Sequence, residues 1–92
     1  MNKIKSVQLN VIGRVQGVGF RYYAVMKAKE FDISGYVKNM PDGSVFIEAE
    51  GKEDGLDQFI LWCQKGPFSS RVDKLDITPG VIKNYNSFSI YH

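Results

Sequence analysis

Cysteine and histidine are the scarcest reactive residues in this 92-residue chain, each occurring once, as Cys63 and His92. A single cysteine closes no internal disulfide. A single histidine supplies no histidine-rich metal cluster, and its place as the last residue argues against a Ser/His/Asp triad and general-base chemistry by imidazole. No apolar run approaches the roughly 18 residues that a membrane span requires. The opening MNKIKSVQLNVIG alternates where a secretory leader has a continuous apolar stretch. Charge of one sign is also scarce. Twelve basic residues against 10 acidic ones leave +2, which suits a small anion but falls far short of the balance expected of a nucleic-acid binder. These absences point to a cytoplasmic protein with no membrane or nucleic-acid partner. No set of carboxylates converges as a metal site. What is present is 43% hydrophobic and 13% aromatic residues, enough for one domain, 1–92, with a single modest core.

Two periodicities organise that core. Val7, Leu9 and Val11 alternate with Gln8 and Asn10, as in a strand buried on one side. Ala24, Ala28 and Phe31, with Val25 beside them, form a helical apolar face after Phe20, and that helix is expected to finish near Asp32. Residues 36–40 and 44–50 read as strands joined by the turn Pro41-Asp42-Gly43, with Val45, Ile47 and Ala49 inward and Glu48 and Glu50 outward. Leu56, Phe59, Ile60 and Cys63 lie at i, i+3, i+4 and i+7 of a second helix, which has acidic residues near its start and Lys65-Gly66-Pro67 at its end. Cys63 on that apolar face reads as a core group, not a nucleophile. Strands over 72–78, with Leu75 and Ile77 inward, and 87–91 complete the chain. The order β-α-β-β-α-β with a short additional strand predicts a ferredoxin-like two-layer α/β sandwich, an antiparallel sheet covered on one face by two helices. The first and third strands are expected at its centre and the second at an edge. This plan hosts many functions and selects none.

The stretch GRVQGVGFR, Gly13 to Arg21, joins the first strand to the first helix. Gly17 and Gly19 permit dihedrals or close approaches that a side chain would oppose, and Val18 between them can pack down and fix the loop. The new helix adds unsatisfied N–H groups and the positive end of its dipole. Arg21, in the first turn, is mildly unfavourable against that dipole unless an anion sits beside it, where its guanidinium can grip two oxygens. Glycines at such a connection also serve the turn alone, and composition leaves both readings open. Asn39 is equally open, as a local cap or as a functional group. Neither GxxxxGK[ST] nor GxGxxG occurs, so a nucleotide site has no support.

GRVQGVGFR resembles the signature of the acylphosphatase family, and GYVKNMPDGSVFIEAEG at 35–51 resembles that family's second motif. The order and separation of the two match, and the likeness extends through FILWCQKGP to YNSFSI. The resemblance implies hydrolysis of a small-molecule acyl phosphate to a carboxylate and inorganic phosphate, without metal or cofactor; the sequence does not set the oligomeric state, and a monomer is the simpler expectation. It implies that Arg21 binds the phosphoryl group, that Asn39 positions the attacking water, and that the backbone of Gln16, Gly17, Val18, Gly19 and Phe20 cradles the phosphate. The position of Gly19 varies in that family, and glycine there gives a softer loop. Two other classes stand beside this one. An RNA-recognition module shares the element order and would use Phe46 and Tyr91 on the open sheet face. An acyl-phosphate sensor would bind phosphate without turnover.

Overall fold

The computed structural model describes residues 3–92. The elements follow the expected order: β1 Ile4–Arg14, α1 Phe20–Glu30, β2 Ser34–Asn39, β3 Val45–Lys52, α2 Glu53–Lys65, β4 Arg71–Pro79 and β5 Phe88–Tyr91. Five strands form one sheet in the order β4-β1-β3-β2-β5. Both helices pack on one face, α1 over β2 and β5, and α2 over β1, β3 and β4. Leu9, Val11, Val37, Val45 and Ile47 point from the sheet into this layer and meet Phe20, Ala24 and Ala28 of α1 and Leu56, Phe59 and Cys63 of α2. Apart from Phe20 and Val37, these residues are spaced in the sequence to share a face, and burial of the larger ones contributes about 1.5–3 kcal/mol apiece. Ile77 lies opposite Leu9 on the same face yet is half-exposed, because β4 is an edge strand.

Two expectations are corrected and a third is sharpened. The sheet is mixed, because β5 runs parallel to β2 while all the other pairings are antiparallel. β5 also displaces β2 from the edge. Glu48 and Glu50 do point away from the helices, but they are 6% and 5% exposed. One physical cause accounts for all three. The connection after β4 travels from one sheet edge to the other, and it crosses the face that the helices leave open. There Glu50 accepts hydrogen bonds from the backbone N–H of Lys83 (2.9 Å) and Tyr85 (2.7 Å). Glu48 accepts from the Tyr85 hydroxyl at 2.7 Å and from Lys83 Nζ at 3.0 and 3.1 Å. The two carboxylates pin the connection as a strap, and β5 can then enter beside β2.

The pairings place β1, β2 and β5 in the same direction, since β3 opposes both β1 and β2. Their carboxyl ends therefore emerge together at one end of the sheet, while the strap crosses nearer the other.

Candidate active site

β1 leads directly into the glycine loop. Gly17 and Gly19 take φ of +74° and +79°, left-handed values that cost a side-chain-bearing residue about 1–2 kcal/mol. Gly19 is also the N-cap of α1, where no side chain caps the helix and no acidic residue occupies the first turn. The first bond of the helix runs from Tyr23 N to Gly19 O, which leaves the earlier helix amides without an intrahelical acceptor. Phe20 anchors the helix start. It is 1% exposed and packs on Trp62 with ring centroids 5.1 Å apart. With Phe20 buried in the core, the next residue, Arg21, falls on a neighbouring side of the helix. Arg21 is half-buried and forms no ion pair among the described residues.

Beneath Arg21 lies a cavity of about 200 Å³. The loop and helix contribute Gly17, Gly19, Phe20 and Arg21 to its lining, and β2 contributes Asn39. Asn39 pairs with Val45, which pairs in turn with Val11 of β1. Since α1 packs over β2, the first turn of the helix and the end of β2 face each other across the cavity. The structure thus brings five of the seven sequence-predicted residues together. The Asn39 Oδ1 atom is buried and has no hydrogen-bond partner among the described residues. An acceptor so placed costs about 1–3 kcal/mol unless a donor reaches it.

Two predicted residues lie off the lining. Val18 packs against the core, which fixes the loop from below. Gln16 turns its side chain away, to the backbone of the β2–β3 turn. Tyr22, which the sequence leaves open between pocket lining and helix packing, also lines the cavity, and three further lining residues carry no site signal in the sequence: Val15, Ile90 and His92. Ile90 and His92 arrive because β5 lies parallel to β2, a long-range pairing with no local signal. The sole histidine is therefore at the cavity, although nothing in its sequence context suggested it.

The opposite sheet face has a different character. Tyr36 stacks on Tyr91 at 4.3 Å with an interplanar angle of 6°. Burial alone would raise the Glu48 carboxyl, but donation from Tyr85 and Lys83 and the Lys83 charge outweigh it and hold Glu48 below the ordinary glutamate range. Burial, with the Glu48 charge beside it, pushes the Tyr85 phenol up. The buried centre of this face is a pair of carboxylates, where a single-stranded nucleic acid requires a cationic groove.

A small cavity lined by the glycine loop at a helix N-terminus and by one free guanidinium is suited to a compact anion. The acylphosphatase family profile matches residues 7–90. The chain belongs to the acylphosphatase family. It is 44% identical over 85 residues to the acylphosphatase of Archaeoglobus fulgidus, covering 92% of this chain and 96% of that one. It is 42% identical over 87 residues to the acylphosphatase of Thermotoga maritima, covering 95% and 97%. The fold superposes on the acylphosphatase of Bacillus subtilis with a TM-score of 0.92 at 37% identity, over 98% of this chain and all of that one. Like other acylphosphatases, it is an enzyme that hydrolyses acyl phosphates to a carboxylate and inorganic phosphate. Among the described residues, no helix of this acylphosphatase is long and apolar enough to cross a membrane.

Proposed function

We propose that the phosphoryl group of the substrate sits in the loop, held by the backbone amides of residues 16–20 and by the Arg21 guanidinium, while Asn39 orients the attacking water. The observation that carries this reading is that the free Arg21 and Asn39, whose buried Oδ1 has no hydrogen-bond partner among the described residues, line one cavity. An acyl phosphate expels a carboxylate, a good leaving group, so no strong acid is needed at the bridging oxygen. The work left to the protein is to stabilise three equatorial oxygens and to align water with phosphorus. Fixed amides and a guanidinium fork suit the first task. Asn39 suits the second, since a carboxamide oxygen accepts a hydrogen bond from water without taking its proton. The proton leaves to the substrate phosphate or to solvent.

This chemistry needs no metal ion. Among the described residues no Asp or Glu lines the cavity, and no group of three or more His, Cys, Asp or Glu could hold one. We also read the protein as one domain, 1–92, since both helices and the sheet share a single core, and as a cytoplasmic monomer; light scattering tests the monomer. The site is tested by hydrolysis of benzoyl phosphate in the presence of a chelator. Wild type should turn over, and folded Arg21→Ala should lose at least about 10³-fold in rate, together with inhibition by inorganic phosphate. A folded Arg21→Ala protein with wild-type kinetics would remove Arg21 from the site, and loss of the wild-type rate on chelation would overturn metal independence.

A further inference from the structure

Gln16 stands between the end of β1 and the loop glycines, and its side chain reaches across to a different part of the chain. Its Nε2 donates to the carbonyl of Met40 and to the carbonyl of Ser44, both at 2.8 Å. Met40 follows Asn39 directly, and Ser44 precedes Val45, the residue paired with Asn39. These are the first carbonyls beyond the Asn39–Val45 pair at the end of the hairpin.

Neither carbonyl depends on Gln16 for a partner. Gly43 N donates to Met40 O at 3.1 Å, and Met40 N donates to Ser44 O at 2.9 Å. Asp42 closes the same turn by accepting from the backbone N–H and the hydroxyl of Ser44. The hairpin end is hydrogen-bonded without help. The bonds from Gln16 are additional to it, and what they join is two separate segments: the loop that carries Gly17 to Arg21, and the strand end that carries Asn39.

We propose that Gln16 is a positioning residue that sets the separation between the phosphate cradle and Asn39, and so aligns water with phosphorus. The proposal rests on the water-orienting role of Asn39 given above. Binding and alignment depend on different parts of this arrangement. Phosphate contacts lie within the loop and Arg21, which travel together when the link is cut. The line from water to phosphorus runs between the two segments, and a displacement on the order of 1 Å there can lower a rate by about 10²-fold.

The test is a double-mutant cycle on kcat for benzoyl phosphate, with inhibition by inorganic phosphate measured in parallel. Gln16→Met keeps the length of the side chain and removes its donors. It should lower kcat by about 10–100-fold while phosphate inhibition stays within about threefold. In the Asn39→Ala background the same change should alter kcat by less than about threefold, because the group being positioned is gone. Multiplying effects in the cycle, with Asn39→Ala itself slow, would overturn the role of Gln16 and leave that of Asn39 standing. An Asn39→Ala enzyme as fast as wild type would overturn both. A parallel fall in phosphate inhibition and kcat in Gln16→Met would show a cradle that needs Gln16 for its own shape, and would also overturn the proposal. If Gln16→Met does not fold, Gln16→Glu supplies the same decision. Its carboxylate would face two carbonyl oxygens, and protonation restores one donor. The kcat of Gln16→Glu relative to wild type should therefore rise as pH falls, and a flat ratio would refute the positioning role.

Discussion

Replacing Glu48 by alanine tests the strap on the open sheet face. The Tyr85 hydroxyl, at 2.7 Å from Glu48 Oε1, loses a hydrogen bond to a charged acceptor, about 1.5–3 kcal/mol. Lys83 is half-exposed and can turn to water, so its pairing adds only about 0–1 kcal/mol. The contacts from Gln8 and Tyr36, both 3.4 Å, are long and add little. The sum is about 2–4 kcal/mol, and for a domain of this size about 3 kcal/mol lowers the melting temperature by about 12–24 °C. Thermal unfolding followed by circular dichroism at neutral pH reads the change. Glu48→Gln keeps an acceptor for Tyr85 and should lose roughly half as much. The pH dependence has a definite sign. The folded Glu48 carboxyl lies below its unfolded value, so its stabilisation is complete above the unfolded pKa and is lost as pH falls through the folded one. Wild type and Glu48→Gln should therefore converge on acidification. A Glu48→Ala protein that melts within about 4 °C of wild type at neutral pH would refute the assignment of the strap to this carboxylate.

Other substitutions probe the cavity and the core. At Gly17 an added Cβ meets nothing within 4 Å, so Gly17→Ala should lose only about 1–2 kcal/mol of stability from its positive φ, while phosphate inhibition weakens more than this strain accounts for. Unchanged inhibition would mean that the glycine serves the turn alone. His92→Ala should lower kcat by less than about tenfold, whereas removal of a general base costs about 10²–10⁴; a larger loss with a flattened pH profile would make His92 that base. Burial raises the Cys63 thiol far above its ordinary pKa, so a thiol reagent should label it only through opening of the core, at a rate that climbs with denaturant. Immediate stoichiometric labelling of the native protein would contradict the packing.

The helices and strands are legible in the sequence because each carries one apolar face at its own period. Ala24 and Ala28 mark α1, and Leu9 and Val11 mark β1, without reference to anything distant. The glycine loop is legible as a loop, but local chemistry leaves its ligand open, and the pairing of Arg21 with Asn39 comes from two motifs read together. What the sequence conceals is long-range. Alternation tells which face Glu48 and Glu50 occupy and is silent about what will cover that face. The parallel entry of β5, and with it the arrival of Ile90 and His92 at the cavity, depends on a crossing from one sheet edge to the other. The Gln16 link is hidden for the same reason, since its acceptors belong to a turn that only the assembled sheet brings near.

The central position of β1 has a consequence for biosynthesis. Val7 is paired with Ala49 on one side and with Pro79 on the other, so both neighbours of this early strand are translated long after it. At about 5–20 residues per second, β1 waits for seconds with both edges bare. The β2–β3 hairpin, whose strands are joined by a short turn, is the first pairing the nascent chain can close. Such non-local pairings place folding in the millisecond-to-second range, and chaperone protection is most useful during the interval before β3 emerges. The cavity is later still, because its lining requires Ile90 of β5. Hydrolytic activity is thus among the last properties the chain acquires, and its appearance during cell-free synthesis would time the completion of the fold.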